Sequence, residues 1–265
     1  MDIPEQWSAD TVSTNGIDIQ YYRVGSGQPI VMAHGMYDSG QRWIPLGEEL
    51  TDDYEVITYD ARGHGHTDAP ETGYDLDSRV ADLLGLIEAL DISDPILLGH
   101  SMGAATVAWA GATTPELPRG IVLADPSRFH DNPDIDPDEI AALTRKKLEE
   151  SQSRPIEERV TEQVEEAEVS SEHARRLVAS TDQCSPHIGQ IGQEHTPVAE
   201  AFDDITCPTL VLRHDADVSD RVTDLRAAKR LATGRLVHLS GAGHYVFRDE
   251  YEAAYTELQT FLQRL

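Results

Sequence analysis

Residues 99–103 read Gly99-His100-Ser101-Met102-Gly103, after the apolar run 95–98 and before the small-residue run 104–112. A Gly-x-Ser-x-Gly pattern between a strand and a helix holds its serine on a sharp turn, with the hydroxyl lifted off the sheet. A side chain at either glycine would clash with the neighbouring strand or helix. A serine hydroxyl is a poor nucleophile until a base takes its proton, so the pattern demands a histidine. Of eleven histidines, His244 is the expected base, because "GAGH" (241–244) follows the apolar run 235–239 on a loop without helical pattern.

An imidazole in that role needs a carboxylate to fix its tautomer. Asp217, two residues beyond Asp215 and clear of the run "TLVLRH" (209–214), is the expected acid. Asp125, which ends "GIVLAD" (120–125), is the alternative, and Asp215 is third. The developing oxyanion needs two fixed donors. Met102, after the nucleophile, and Met36, in the loop that follows "PIVMAH" (29–34), are expected to offer their backbone N–H groups. His34 is expected to hold that loop by packing or hydrogen bonding. Met36, Met102, Phe129, Tyr245 and Val246 are expected to line a substrate pocket, with Trp43 either joining them or lying in the core.

The elements that must position these groups are legible as alternating patterns. Apolar runs at 19–24, 29–34, 55–60, 95–100, 120–125, 209–214 and 235–240 read as strands of a mostly parallel sheet. The glycine turn "GSGQ" suggests that the first two form an antiparallel hairpin at the sheet edge. Val80, Leu83, Leu84, Ile87 and Leu90 share one face of a helix over 77–90. Between about 127 and 205 the strand pattern stops. That stretch reads as an inserted helical segment, with Ile140, Leu143 and Leu148 at helical spacing.

Composition limits the partners. Forty-eight acidic residues against 21 Lys and Arg give a net charge of −27, and only three of the cations are lysines. Such a surface repels nucleic acid and anionic lipid. An apolar site beneath it suggests a neutral or weakly charged acyl substrate. The acidic amino terminus carries no secretory pattern, and no run approaches the ~18 apolar residues of a membrane helix, so a soluble cytoplasmic protein is expected. Cys184 and Cys207 fit no metal motif. The Asp-rich stretch 131–139 lacks the glycine spacing of a calcium loop, so no metal is expected.

Together the His34-Gly35 loop, "DARGHG" (60–65), "GHSMG" (99–103), the acidic loop 214–217 and "GAGH" (241–244) resemble the α/β-hydrolase superfamily, in its small esterase, lactonase and haloperoxidase-like branch. The acid-rich, lysine-poor composition resembles that of salt-accumulating halophiles. The family resemblance implies an α/β fold with an eight-stranded, mostly parallel sheet flanked by helices. It implies a core formed by 1–126 and 206–265, with 127–205 as a helical cap. It supports the chain order Ser101, Asp217, His244, although His214 stands where the acid loop usually begins with glycine; some relatives use a carboxylate after the earlier strand. It also implies that Arg62 makes a buried ion pair. Ser101 argues against dehalogenases and epoxide hydrolases that use an aspartate nucleophile. The stretch Gly103-Ala104-Ala105-Thr106 lacks the arginine of menaquinone-pathway relatives. The expected activity is cofactor-free hydrolysis of a small ester or lactone through an acyl-enzyme on Ser101. A non-hydrolytic ligand-binding role, or carbon–carbon bond cleavage with the same triad, is the alternative.

Overall fold

The computed structural model describes residues 3–130, 136–167, 169–193 and 196–265. Eight strands form one sheet: β1 (Ser8–Thr14), β2 (Ile17–Gly25), β3 (Gln28–Ala33), β4 (Tyr54–Tyr59), β5 (Ile96–His100), β6 (Gly120–Ala124), β7 (Thr209–Arg213) and β8 (Gly234–His238). Their spatial order is β1-β2-β4-β3-β5-β6-β7-β8, parallel from β4 onward, with β1 and β2 antiparallel to their neighbours.

The expected hairpin between 19–24 and 29–34 does not form. β4 lies between β2 and β3, and β2 pairs instead with β1 across Asn15-Gly16, both at positive φ. An Asn-Gly pair is the strongest two-residue hairpin signal, since both positions tolerate the left-handed backbone. β1 escaped the apolar reading because its sequence, SADTVST, is polar and mostly exposed at the sheet edge.

The central strands are continuous apolar runs because both of their faces are covered. Val31, Ile57, Leu97, Ile121 and Val211 belong to one core layer; Ile30, Val56, Ile96, Val122 and Leu210, one residue away along each strand, belong to the other. Each fully buried side chain of this kind stabilises by roughly 1.5–3 kcal/mol. The first layer packs against α2 (Leu76–Ala89) and α3 (Met102–Thr113), the second against α1 (Ile44–Glu48) and the carboxy-terminal α9 (Tyr251–Leu262). In α3 the small residues Ala104, Ala105, Ala108 and Ala110 are buried, which lets the helix lie close on the sheet.

Between β6 and β7 the chain forms α4 (Pro137–Gln152), α5 (Ile156–Ala167) and α6 (Ser171–Asp182), then 3-10 turns at Pro186–Gln193 and Val198–Asp203. α7 (Val218–Ala228) follows β7, and the short α8 (Val246–Asp249) follows the 241–244 loop. Three side-chain bonds tie the inserted helices to the loop after β3. The Tyr37 hydroxyl donates to Thr144 Oγ1 at 3.2 Å, Ser39 Oγ meets Ser180 Oγ at 2.7 Å, and Thr181 Oγ1 donates to the Tyr37 carbonyl at 3.3 Å. Cys184 and Cys207 are free and buried. Among the described residues no helix is long and apolar enough to cross a membrane, and no three His, Cys, Asp or Glu side chains are grouped to hold a metal ion. Of the Asp-rich stretch 131–139, residues 131–135 lie outside the described residues.

Candidate active site

Ser101 stands between β5 and α3 at φ 53°, ψ −114°. Such a backbone costs roughly 1–3 kcal/mol and persists only where its surroundings hold it. The two flanking glycines make the turn possible. A Cβ on Gly99 would overlap the Gly103 carbonyl, and one on Gly103 would overlap the Ala33 carbonyl at the end of β3. The elbow is wedged between strand and helix, and Ser101 Oγ is left facing His244 Nε2 at 2.9 Å.

His244 Nδ1 meets Asp125 Oδ2 at 2.6 Å. The carboxylate behind the imidazole is therefore that of Asp125, not the expected Asp217. The reason is visible in the strand ends. Ala124 is in register with Leu212, so the next residues, Asp125 and Arg213, leave the sheet side by side. Arg213 Nη1 donates to Asp125 Oδ1 at 2.7 Å, as do the His214 backbone N–H at 3.2 Å and His214 Nδ1 at 2.7 Å. Asp125 is only 2% exposed. Burial pushes its carboxyl up, but the hydrogen bond to His244, the Arg213 charge and the His214 contacts outweigh burial and hold it at about 2.

Asp217 is exposed and already engaged as the N-cap of α7, accepting from the Asp220 N–H at 3.0 Å. The loop after β7 holds only four residues before that helix, so Asp217 marks its start. Asp215 accepts from the Gly241 N–H at 2.9 Å and pairs with Arg221, which ties this loop to the one bearing His244.

Three supporting residues were not anticipated from sequence. His100 Nε2 donates to the His244 carbonyl at 2.9 Å, bridging the elbow to the histidine loop. Burial holds the His100 imidazole well below its usual range, in the neutral form. Arg213 also donates through Nε to Asp224 Oδ2 at 2.9 Å. Asp224 in turn meets His130 Nε2 at 2.6 Å and His238 Nε2 at 3.0 Å. An adjacent Arg-His pair at a strand end was the available signal, since buried cations need an acid nearby.

His34 spans Gly35 and Ala61: Nδ1 lies 2.7 Å from the Gly35 carbonyl, and Nε2 accepts from the Ala61 N–H at 2.9 Å. Arg62 pairs with Asp82 at 2.6 Å, both buried. Gly35 runs so near the elbow that a Cβ built on it would be 3.3 Å from Ser101 Cβ. Met102 opens α3, and Met36 is half-buried against the first core layer.

The expected pocket residues divide. Tyr245 walls a cavity of about 280 Å³ and touches the His244 ring edge-on at 5.5 Å between centroids. Val246 is wholly buried in the second core layer, and Trp43 is buried there against Phe247. Phe129 is buried against Phe202, with the Arg213 guanidinium 4.5 Å above its ring. These three are packing residues. The cavity beside Tyr245 is walled by Arg42, Lys147, Arg154, Arg159 and Arg248, against the two acids Asp38 and Glu162.

Residues 30–258 match the alpha/beta hydrolase family. A 2-(acetamidomethylene)succinate hydrolase of Mesorhizobium japonicum is 37% identical over 43% of this chain and 41% of that protein. A non-heme chloroperoxidase of Streptomyces lividans is 41% identical over 37% of each, so both matches span less than half of the relative. A non-heme chloroperoxidase of Burkholderia pyrrocinia aligns over 89% of this chain and 92% of its own length at 27% identity. Among solved structures, an enol-lactonase from Burkholderia xenovorans LB400 superposes with a TM-score of 0.76 at 21% identity, covering 96% of this chain and all of the other; at that identity the likeness is one of fold. The chain belongs to the α/β-hydrolase family.

Proposed function

We propose that this protein is a serine hydrolase that cleaves a carboxylic ester, lactone or related small acyl bond through an acyl-enzyme on Ser101. The observation that carries the reading is the unbroken contact from Asp125 Oδ2 through His244 to Ser101 Oγ. In this mechanism the ionised Asp125 accepts from His244 Nδ1–H and so leaves Nε2 free to take the serine proton. Oγ attacks the carbonyl carbon as the proton moves to Nε2. The imidazolium, stabilised by Asp125, then protonates the leaving alcohol. Water enters and gives its proton to the same nitrogen as its oxygen attacks the acyl carbon; the bond from that carbon to Ser101 Oγ then breaks, the imidazolium returns the proton to Oγ, and the acid leaves.

The Met36 and Met102 backbone N–H groups serve as the oxyanion donors. The position of Met102 in the first turn of α3, where N–H groups lack intrahelical acceptors, supports that assignment. The closeness of Gly35 to Ser101 supports the other half. The inserted helices act as a lid, as their bonds to Tyr37 and Ser39 suggest. Side chains and backbone handle every proton and charge, so the reaction requires no cofactor.

Labelling with a fluorophosphonate and steady hydrolysis of p-nitrophenyl butyrate test the reading. The native protein is expected to be labelled and to turn over, and Ser101→Ala to do neither. A native protein that resists the label refutes an activated serine. One that is labelled without hydrolysing esters, lactones or thioesters moves the reading to the ligand-binding or carbon–carbon-cleaving alternative.

A further inference from the structure

We infer that the cavity beside Tyr245 is an anion subsite that receives the free carboxylate of a half-acid substrate, such as the monoester of a short dicarboxylic acid. The inference deepens the hydrolase reading and rests on it for the position of the scissile bond. Its first ground is composition. A chain with 21 cations among 265 residues places five of them on the walls of one cavity of about 280 Å³. These walls carry two acids, in a protein whose acids otherwise outnumber its cations by more than two to one.

The second ground is where the charges sit. Arg42 and Arg248 lie over the Tyr245 ring, their guanidinium carbons 4.6 and 4.3 Å from its centroid. Tyr245 directly follows His244 and touches it. Lys147 Nζ lies 4.0 Å from the centroid of Tyr37, next to Met36. Three of the five cations thus stand on the two aromatic residues that adjoin the proposed base and the proposed oxyanion loop. Stacking leaves the planar edge of an arginine free to bind a carboxylate in two-point fashion.

Each of the four arginines has a carboxylate partner, yet Arg42 and Arg248 engage theirs through a single nitrogen each. Arg159 is bonded through two nitrogens to Asp182, and Arg154 to Glu158 and Glu162. Arg248 Nε reaches Asp249 at 2.8 Å. Arg42 pairs at 2.9 Å with Asp38, whose buried carboxyl is pushed up by desolvation although Arg42 pulls it back. Lys147 has an aromatic ring beneath it. A substrate carboxylate would meet the guanidinium nitrogens of Arg42 and Arg248 that these pairs do not use, together with the Lys147 ammonium.

Paired rates for monomethyl glutarate and methyl valerate, which share a chain length, test the idea in a pH-stat at fixed KCl. Calorimetric binding of glutarate to Ser101→Ala accompanies them. The native kcat/KM is expected to favour the half-acid at least tenfold. That ratio should fall at least tenfold in the double variant Lys147→Gln/Arg248→Gln, with glutarate binding weakened as much. Faster hydrolysis of methyl valerate, or no glutarate binding, overturns the subsite and leaves the hydrolase reading standing. If neither ester is cleaved and Ser101 resists labelling, the hydrolase reading fails. Glutarate binding that is lost in the double variant would then still uphold the anion site.

Discussion

Asp125 and Asp217 follow neighbouring parallel strands, and each lies within a few residues of its strand end. In sequence they look equivalent: an acid just past an apolar run. In the fold one is buried, bonded to Arg213, His214 and His244, and held at about 2; the other is exposed and caps a helix. The difference lies in what stands beside each strand end. β6 lies between β5 and β7, so Asp125 leaves the sheet between the elbow on one side and the Arg213-His214 pair on the other. The residues after β7 turn at once into α7, and the first duty of an acid there is to satisfy the helix's free N–H groups. The role of a strand-end aspartate is set by its lateral neighbours, not by its own strand.

The largest effect should come from exchanging the charge of the two acids. Asp125→Asn is expected to lower kcat for p-nitrophenyl butyrate by about 10³–10⁴-fold, because an amide in that place favours the wrong histidine tautomer. Asp217→Asn is expected to stay within about twofold of native. Equal losses would erase the distinction drawn between the strand ends, and a reversed order would restore Asp217 as the acid.

A smaller effect concerns stability against acid. The folded Asp125 carboxyl, at about 2, lies below an ordinary aspartate near 3.9. Ionisation therefore favours the folded state by about 2 kcal/mol above pH ~4, and this contribution fades as the pH falls towards about 2. Many other carboxylates titrate in that window, so the useful quantity is the difference in urea-unfolding free energy between the native protein and Asp125→Asn. That difference is expected to shrink from pH 5 to pH 2. A constant difference would mean that the carboxylate is not held by its cations as the geometry implies.

The same contrast explains what the sequence could disclose. Continuous apolar runs such as Ile96-Leu97-Leu98 announce buried parallel strands, because both faces need apolar side chains. The elbow was legible because Gly99 and Gly103 answer a local steric demand. Lateral order is not a local property: nothing within 19–34 discloses that β4 will lie between β2 and β3. The acid was ambiguous for the same reason, as Asp125 acquires its role only when β7 pairs beside β6. The cationic cavity was hidden most completely. Its charges come from the turn at Gly40–Trp43, α4, the α4–α5 connection, α5 and α8, each unremarkable within its own segment.

The smallest effect belongs to the helix cap. Asp217→Ala removes the side chain that accepts the Asp220 N–H at 3.0 Å. Loss of an exposed cap costs about 1 kcal/mol, which in a domain of this size lowers Tm by roughly 2–4 °C. Asp217→Asn keeps an accepting oxygen at the same place and should retain most of that stability. Calorimetric scans of the two variants, beside their esterase rates, separate capping from chemistry. A lowered Tm in Asp217→Ala with native kcat assigns the residue to α7 alone. A large loss of kcat at unchanged Tm would instead bring Asp217 back to the imidazole, and with it the prospect that the loop after β7 moves before the serine attacks.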